Sequence, residues 1–381
     1  MLLTEEQLNV QEMARRYAQE RLAPNSERWD RDHHYPADAI ADMAQLGFFG
    51  MLVPESWDGN DSGYISYAVA LEEIAAGNGA CSTIMSVHNS VACMPILKYG
   101  SDAQKDQFLR PLATGAAIGG FALTEPQAGS DASSLRTRAV RDGDHYVLNG
   151  AKQFITSGRT GQLVIVFAVT DPQAGKRGIS AFIVPTDTPG FTATAIENKL
   201  SMRASLQTEI ELVDVRLPED AILPGAAGLS APFMCLNEAR YGIVWGVMGA
   251  ARSCLEAAVS RSVTREVYGS PIGGKQLIQG QLADCFVEYE KGLLLALHIG
   301  RLKDAGKLSY GQISVGKLNN VREAIRIAST CRAILGGDGI TSDFPVMRHM
   351  ANLESVRTYE GTDEVHQLVI GRELTGIAAF A

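Results

Sequence analysis

Glu360 is the residue whose surroundings in the sequence best suit acid–base chemistry. Apolar residues at helical spacing begin at Val365, and Thr362 suits an N-cap, so we expect Glu360 on a loop just before a helix. Gly361 allows close backbone approach there, and Tyr359 can pack over the carboxylate and exclude water. Desolvation raises the pKa of a carboxylate, which can then serve as a general base. A solvated loop acid is the alternative that spacing alone leaves open.

The segment 121–131 is a second candidate, because it leaves a predicted strand and enters a loop rich in small residues and hydroxyls. The backbone N–H groups of Gly129 and Ser130 and the hydroxyl of Thr124 could hydrogen-bond a phosphate or the polar edge of a ring. An ordinary solvated loop has the same composition, so this pattern alone leaves both interpretations open.

Three further stretches carry aromatic, basic or glycine residues that could hold a ligand. Phe154 is either a core aromatic or a ring that covers a planar ligand. Arg265 and Gln276 flank a predicted helix junction and suit a diphosphate, although an exposed turn arginine is commonplace. The glycines at 336–339 follow a helix and lack the spacing of a Rossmann fingerprint.

The composition is that of an ordinary globular protein with large cores: 46% of residues are hydrophobic and 20% are charged. The net charge of −9 argues against nucleic acid or an anionic membrane as the main partner, so a polyanionic ligand would need a locally basic site. We find no signal peptide and no run of about 18 apolar residues, which predicts no membrane insertion. We expect a cytoplasmic protein, in a bacterial cytosol, with a mature mitochondrial matrix enzyme as the alternative.

Cysteine and histidine spacing indicates neither a disulfide framework nor a metal site. The cysteines lie in apolar, helix-like sequence without a Cys-x-x-Cys pair, which predicts buried thiols. The histidines form no ligand cluster, and His88 is the one that could line a pocket. A serine hydrolase would need a nucleophile elbow, and we find none.

Helical patterns occupy the first part of the chain. Capping boxes predict helix starts at Thr4 and Ser101, and a helix that begins at Thr4 is expected to stop near Pro24. Another helix follows Pro36, and apolar stripes at 64–76 and 80–97 are interrupted at 77–79. Several helices with broad apolar faces predict a bundle.

The period changes near residue 117. Short β-branched runs at 163–169, 179–184 and 210–215 predict strands, and 138–140 with 145–148 predict a hairpin around Asp142-Gly143. No helical stretch separates them, which favours a compact β domain or barrel over a βαβ nucleotide fold. Residues 223–228 are interpreted as a linker, after which helices are predicted at 231–264, 275–303, 310–335, 345–356 and 362–379.

These segments, in this order through nearly the whole chain, resemble the acyl-CoA dehydrogenase family. The resemblance implies a mainly α fold with a central β domain: an N-terminal helical bundle at 1–116, a middle β-barrel at 117–222 and a C-terminal helical bundle at 223–381. It implies FAD as the cofactor and Glu360 as the base that removes the α-proton of an acyl thioester. In the family, the reduced flavin passes its electrons to an electron-transfer flavoprotein.

The resemblance also implies binding roles for matching residues. Flavin contacts are expected from Phe121, Leu123, Thr124, Gly129, Ser130, Phe154, Thr156, Arg265, Tyr268, Gln276, Gly336, Gly337, Thr362 and Glu364. Contacts with acyl-CoA are expected from Ser86, Ser130, Leu236, Asn237, Arg240, Tyr359 and Gly361. Glu364 departs from the glutamine of the family, which weakens that contact. The group around Arg265 reaches a flavin bound mainly by another subunit, so the family relationship predicts a homo-oligomer, in the family usually a tetramer built as a dimer of dimers.

The predicted reaction is flavin-dependent α,β-dehydrogenation of a short or branched acyl-CoA to the trans-2-enoyl-CoA. The middle of the chain resembles short-chain acyl-CoA dehydrogenases, whereas the C-terminal part is more similar to glutaryl-CoA dehydrogenase. That enzyme reads a distal carboxylate with an arginine, but Ser82 holds the matching position before Met85. An unpaired buried carboxylate costs several kcal/mol, which disfavours decarboxylation. An acyl-CoA oxidase and a flavin-binding relative without dehydrogenase activity also stay open.

Overall fold

The computed structural model describes residues 2–379, in which helices precede and follow a central sheet. The helices are α1 (Glu5–Tyr17), α2 (Ala23–Arg31), α3 (Ala37–Gln45), α4 (Gly63–Gly77), α5 (Gly79–Val87), α6 (Met94–Tyr99), α7 (Asp102–Gln104), α8 (Arg110–Ala113), α9 (Ser230–Thr264), α10 (Gln276–Asp304), α11 (Tyr310–Ile334), α12 (Val346–Thr358) and α13 (Asp363–Thr375). The predicted fold class, mainly α with a central β domain, is confirmed.

The predicted helix starts in the N-terminal part are correct, whereas the predicted end near Pro24 is not. Both capping boxes are present: Thr4 accepts from Gln7 N at 3.2 Å, and Ser101 accepts from Gln104 N at 3.2 Å. The predicted stop near Pro24 is wrong, because a π-helical turn at Ala18–Leu22 leads directly into α2. The proline falls in the first turn of α2, where its missing N–H group costs nothing.

α4 and α5 are two buried helices separated by one residue. Asn78 has extended backbone (φ −156°, ψ 114°), and its side chain accepts from Cys81 N at 2.9 Å to start α5. The predicted interruption at 77–79 is therefore confirmed. A π-helical segment, His88–Cys93, continues α5 towards α6.

The strands form one eight-stranded mixed sheet and a small hairpin. They are β1 (Gly119–Ala122), β2 (Arg138–Asp142), β3 (His145–Ile155), β4 (Leu163–Val169), β5 (Ile179–Pro185), β6 (Phe191–Ala195), β7 (Thr208–Pro218), β8 (Ile222–Ala227), β9 (Glu266–Val267) and β10 (Ser270–Pro271). The sheet order is β6-β7-β3-β2-β4-β5-β8, with β1 parallel to β4. β2 and β4 pair only at Arg138 and Val169, so the sheet folds over there.

Strand β4 is buried on both faces, which explains its uninterrupted apolar run. Val164 and Val166 point into a core shared with Leu148 and Ile210 from the other half of the sheet. Leu163, Ile165 and Phe167 point the other way, into a core shared with α6 and α8. The β domain is thus fixed against the N-terminal helices.

The segment interpreted as a linker at 223–228 belongs largely to strand β8. Phe182 of β5 pairs with Ile222 and Ser180 pairs with Ala227, with an irregularity between them. Pro224 and Gly225 lie at this irregularity. Their composition, typical of a linker, therefore belongs to an irregular edge strand, because proline is tolerated on edge strands. The linker prediction is wrong, and the domain boundaries at 116 and 222 stay predictions.

Helices α9 to α13 form the C-terminal bundle and match the five predicted helices within a few residues at most ends. The last helix is shorter than predicted, because Gly376 adopts a left-handed conformation (φ 72°) that ends α13 at Thr375. Two helical stretches, Gly79–Tyr99 and Ser230–Thr264, are apolar and long enough to cross a membrane. In the most apolar 18-residue stretch of each, 83% and 67% respectively is buried within the fold, as in a core helix.

Candidate active site

Glu360 lies on the connection between α12 and α13, as predicted. Its backbone is left-handed (φ 56°), and Gly361 follows with φ 101°. A side chain at residue 361 would begin 3.0 Å from His366 Nε2 and 3.4 Å from an Arg240 nitrogen, so both space and conformation require glycine. Thr362 accepts from Val365 N at 3.4 Å, which confirms it as the N-cap of α13.

Side chains from two long helices hold the backbone of this loop. The Lys317 ammonium of α11 donates to the carbonyl of Tyr359 at 2.6 Å and also to the carbonyl of Gly361. Arg240 Nε of α9 donates to the carbonyl of Glu360 at 2.8 Å. The carbonyls of three successive residues are thus fixed by cations. In the part of the chain that the structure describes, the N–H group of Glu360 donates to no protein acceptor.

Two ion pairs fix the start of α13 behind this loop. Asp363 is buried, and its Oδ2 accepts from Arg322 Nε at 2.9 Å and from Arg357 Nε at 3.1 Å. Because buried charge is costly unless paired, these contacts make the position of α13 specific. The loop between Tyr359 and Asp363 is therefore held at both ends.

The carboxylate of Glu360 has no direct hydrogen-bond or ion-pair partner among residues 2–379, and the residue is only partly exposed. Its Oε2 is buried and has no hydrogen-bond partner among residues 2–379. Burial raises the pKa of Glu360 above the ordinary carboxyl value, and the charges of Lys317 and Arg240 partly oppose that rise. Burial also lowers the pKa of Lys317. A carboxylate with a raised pKa and an unoccupied oxygen is equipped to accept a proton.

A cavity of about 60 Å³ opens beside Glu360. About 10–15 Å³ of such space holds one water, so the cavity has room for roughly four to six water-sized groups. It is lined by Leu71, Ala75, Gly79, Ser82, Thr83, Ser86, Val87, Met202, Gly242, Ile243, Gly246, Val247, Ala250, His349, Asn352, Leu353, Val356, Tyr359 and Glu360. This lining includes no lysine or arginine. Burial lowers the pKa of His349 to about 3, so the only histidine of the lining is neutral at pH 7.

Glycines of α9 create this space. A side chain at Gly242 would begin 2.8 Å from Ser86 Oγ and 2.9 Å from a Leu71 methyl group. One turn further, a side chain at Gly246 would begin 3.6 Å from Ser82 Oγ and would project into the cavity. The absence of side chains at these two positions leaves a slot between α9 and α5.

A second group of predicted residues comes together where the segment after β1 meets the end of β3. Gln153 N donates to the Thr124 carbonyl at 2.9 Å and ties the two segments. Beneath them, Lys152 Nζ contacts Glu125 Oε1 at 2.8 Å and the Leu123 carbonyl at 3.2 Å. Lys152 and Glu125 are both buried. The ion pair therefore fixes the position of one segment relative to the other.

The free face of this junction suits a polar aromatic ligand. Phe154 has left-handed backbone (φ 61°), and 60% of it is exposed, which is unusual for a phenylalanine at the end of a sheet strand. Thr156 is buried, and its hydroxyl accepts from Gln207 Nε2 at 3.3 Å. The Oε1 of Gln207 and the hydroxyl of Ser157 are buried without partners among the described residues. An uncovered ring beside unpaired polar atoms is what a planar heterocycle would complete.

A third group lies at the far end of the C-terminal bundle. Arg265 caps α9, Tyr268 is 98% exposed on the hairpin between α9 and α10, and Gln276 begins α10. An ion pair between Arg261 and Asp338 brings the turn with Gly336 and Gly337 to the same end. A side chain added at either glycine would meet open space. None of these residues lines the cavity beside Glu360.

Phe121 lies at the edge of a core, and His88 differs from its expected setting. Phe121 is half-buried and packs edge-on against Phe167, with ring centroids 5.1 Å apart, so the structure places it at the edge of a core. His88 does not line the cavity: its Nε2 lies 2.9 Å from the Leu112 carbonyl and its Nδ1 accepts from Gly119 N at 3.2 Å. His88 thus links α8 to β1, with one ring nitrogen on each.

The other predicted residues lie around the cavity or on exposed turns. Ser86, Tyr359 and Glu360 line the cavity. Gly129 and Ser130 are exposed on the loop after β1, and Glu364 is exposed in the first turn of α13. Leu236 and Asn237 are half-buried on α9, one turn before Arg240, which donates to Asn237 Oδ1 at 2.9 Å. Arg240 therefore supports the Glu360 loop as well as giving this end of α9 a positive charge.

Three family models match the chain in succession. They describe the acyl-CoA dehydrogenase N-terminal domain at residues 4–116, the middle domain at 120–215 and the C-terminal domain at 226–375. The chain belongs to the acyl-CoA dehydrogenase family. It is accordingly an FAD-dependent oxidoreductase, as the resemblance implied.

Similar proteins in this family include enzymes named for different substrates. The mitochondrial short-chain specific acyl-CoA dehydrogenase of Bos taurus is 37% identical over 367 residues, which is 96% of this chain and 89% of that protein. A glutaryl-CoA dehydrogenase from Mycobacterium smegmatis has a TM-score of 0.96 at 49% identity, over 100% of this chain and 97% of that chain. Butyryl-CoA dehydrogenase from Megasphaera elsdenii has a TM-score of 0.95 at 34% identity, over 98% of this chain and 99% of that chain.

FAD is the cofactor of this acyl-CoA dehydrogenase, and the residues present fit it. A glutaryl-CoA dehydrogenase of Mycobacterium smegmatis, solved in complex with FADH2, has a TM-score of 0.96 at 47% identity, over 100% of this chain and 97% of that chain. In this chain the uncovered Phe154 ring and the unpaired atoms of Gln207 and Ser157 offer one face and one polar edge to the isoalloxazine. Gly129 and Ser130 are exposed, and their backbone N–H groups would suit its phosphates.

Sequence reasoning missed the residues that support the site from behind. Lys317 belongs to no motif, and neither Lys152 nor Glu125, which lies within the segment 121–131, was given a role; yet each is almost fully buried and bonded to a site segment. A lysine inside the apolar pattern of the helix predicted at 310–335 was an available signal, because buried lysines need partners. Gly242 and Gly246 gave a second signal, since glycines inside a long helix need a packing reason.

Proposed function

We propose that this chain oxidises a short, uncharged acyl-CoA to the trans-2-enoyl-CoA, with Glu360 as the base that takes the α-proton. The observation that carries this proposal is the buried, unpartnered oxygen of Glu360 at the edge of a small cavity. Its raised pKa makes it a stronger base than a solvated carboxylate. FAD, when bound, would supply the acceptor for the hydride that leaves the β-carbon.

The loop itself supplies what the proton transfer needs. α-Protons of thioesters are weakly acidic, so the enolate formed must be stabilised by hydrogen-bond donors. The N–H group of Glu360 has no acceptor in residues 2–379 and is a candidate donor to the thioester carbonyl. Lys317 and Arg240 keep this N–H group and the carboxylate in a fixed relation. Tyr359 and the apolar residues of the lining, among them Leu71 and Val356, would pack around the reacting carbons.

The size and charge of the cavity support a short neutral acyl group. Without a lysine or arginine in the lining, a distal carboxylate would be buried unpaired, at a cost of several kcal/mol. The 49% identity with a glutaryl-CoA dehydrogenase nevertheless favours glutaryl-CoA as a second candidate substrate. In that case decarboxylation would follow oxidation, and release of CO2 would identify it.

An anaerobic substrate panel tests the proposal directly. The purified holoprotein is mixed with acetyl-, butyryl-, isobutyryl-, hexanoyl- and glutaryl-CoA, and loss of the yellow flavin absorbance is followed. We expect fast bleaching with butyryl- or isobutyryl-CoA and little with glutaryl-CoA. Glu360→Gln keeps the size and bonding of the loop but removes the base, so its bleaching rate should fall by roughly 1000-fold or more. Undiminished bleaching by this variant would refute the assigned base.

Electron transfer and assembly form part of the proposal. We propose that an electron-transfer flavoprotein accepts the electrons, and comparison of its reduction rate with peroxide formation in air separates this from an oxidase. The separation of the Arg265 group from the cavity supports flavin sharing in a homo-oligomer, for which we propose a tetramer. Light scattering measures the copy number. Arg265→Ala should lose flavin while Lys291→Met, at an exposed site on the same bundle, should retain it.

A further inference from the structure

Ser82 presents an unused hydroxyl to the cavity. Neighbouring hydroxyls on the same helical stretch bond back to the carbonyl four residues earlier: Thr83 Oγ1 donates to Gly79 at 2.9 Å, and Ser90 donates to Ser86. Ser82 makes no such bond, and its hydroxyl has no partner elsewhere within residues 2–379. Yet only 7% of the residue is exposed, and the cavity is what it faces.

Ser82 lies at the end of the cavity away from the base. Arg240 of α9 bonds the Glu360 carbonyl, Gly242 faces Ser86, and Gly246 faces Ser82. Four residues of α-helix rise about 6 Å, so Ser82 is about that much deeper than Ser86. An acyl chain whose α-carbon meets Glu360 would point its distal carbons towards Ser82.

The surroundings of Ser82 determine which partner it can take. Across the slot from Ser82, Gly246 carries no side chain: a Cβ built there would lie 3.6 Å from Ser82 Oγ and 3.7 Å from Ala75 Cβ. Val247 and Ala250 continue the apolar lining at this end. His349 and Asn352 also line the cavity, and His349 is neutral because burial lowers its pKa. The polar groups near Ser82 can therefore bind a neutral hydrogen-bonding group, but they cannot neutralise a carboxylate.

We infer that the preferred substrate is a short acyl-CoA with a neutral hydrogen-bonding group, such as a hydroxyl, on its distal carbon, and that Ser82 recognises this group. The inference rests on the proposed function. The distal group is unchanged in the reaction: the α-carbon loses a proton to Glu360 and the β-carbon loses a hydride to FAD, which leaves the enoyl double bond. Saturated hydrocarbon chains of equal length would fill the space but leave Ser82 unpaired.

Matched substrate pairs test the inference. The value of kcat/KM is measured for butyryl-CoA against 4-hydroxybutyryl-CoA and for valeryl-CoA against 5-hydroxyvaleryl-CoA. The hydroxylated member of at least one pair should be favoured about 10-fold in the unaltered enzyme, as expected for one buried hydrogen bond. Ser82→Ala should abolish that preference, so that the ratio of the two kcat/KM values within each pair falls to about 1. Thr83→Val is the matched control, because the Thr83 hydroxyl is already bonded to Gly79, and should keep the preference.

The outcomes separate this inference from the proposed function. If butyryl- or valeryl-CoA is oxidised but hydroxylation gives no advantage, or if Ser82→Ala keeps the advantage, the role of Ser82 is refuted and the dehydrogenase proposal stands. If no member of either pair bleaches the flavin in any variant, both proposals fail.

Discussion

Replacing Lys317 by methionine tests whether the backbone clamp controls the base. Methionine fills a similar volume but cannot donate hydrogen bonds to the carbonyls of Tyr359 and Gly361. The left-handed backbone of Glu360, which is unfavourable for a non-glycine residue, would then be free to relax. The carboxylate would also lose a nearby positive charge that lowers its pKa.

Three separate magnitudes follow. A buried carbonyl left unpaired costs about 1–3 kcal/mol, so two predict a loss of about 2–6 kcal/mol in unfolding free energy, less where water enters. Displacement of the base by about 1 Å predicts a fall of roughly 100-fold in kcat. Lys317 lowers the pKa of Glu360 through its charge, without a direct ion pair, and burial disfavours the charged ammonium, so the effect is smaller than that of a contacting pair. We therefore expect the pKa of Glu360 to rise by about one unit.

The sign of the pH effect makes the test specific. Glu360 acts as a base only when ionised, so a raised pKa removes active enzyme at low pH and has no effect well above the pKa. The acid limb of the kcat profile, measured from about pH 5.5 to 9 with the best substrate, should move to higher pH. Lys317→Arg keeps the charge but changes the hydrogen-bond geometry, so it should lose kcat with a smaller shift of that limb.

An unaltered pH profile would contradict this role for Lys317. If Lys317→Met has an unchanged acid limb and a kcat within about twofold of the unaltered enzyme, the clamp does not position the base. Lys291→Met, which removes a largely exposed lysine, should leave both quantities unchanged and controls for net charge. Circular dichroism of each variant establishes that it has folded.

Three further predictions address other parts of the site. Gly246→Val should lower kcat/KM for hexanoyl-CoA roughly 10-fold or more with normal flavin content, whereas Gly246→Ala, with ordinary contacts at 3.6 Å to Ser82, should change it little. Lys152→Met should destabilise the β domain by about 3–5 kcal/mol and release flavin on dilution, and adding Glu125→Gln should recover part of that loss. His88→Gln can keep both hydrogen bonds but cannot titrate. Burial lowers the pKa of His88 to about 4, so folding loses stability as pH falls from about 6.5 towards 4; the variant should reduce that slope by up to about 1.4 kcal/mol per pH unit in urea titrations.

Much of the architecture could be predicted because local patterns and tertiary packing agree. The capping residue Thr4 and the apolar run of β4 specify their elements through contacts within a few residues or through burial on both faces. The errors come from longer-range effects. Pro24 fits inside a helical path only because a π turn precedes it, and β8 pairs despite Pro224 because the neighbouring strand β5 accepts an irregular edge.

The site was predictable only in part for the same reason. Glu360 and Thr362 are adjacent in sequence to the helix start that reveals them. Lys317 bonds to a loop more than forty residues later in the sequence, and no pattern in its own helix predicts that its partners are carbonyls. The cavity likewise exists because Gly246 of α9 faces Ser82 of α5. That contact depends on how the two helices pack, which the sequence pattern of either helix does not give.

The bonds that hold residues 359–361 all end on main-chain oxygens, which every amino acid carries. The side chain at position 360 is therefore exchangeable without dismantling its support. Asparagine or aspartate, which tolerate left-handed backbone better than most residues, should fold there as readily as glutamate. A library confined to this single codon could then explore other proton acceptors, or reactive nucleophiles, on an otherwise unaltered scaffold.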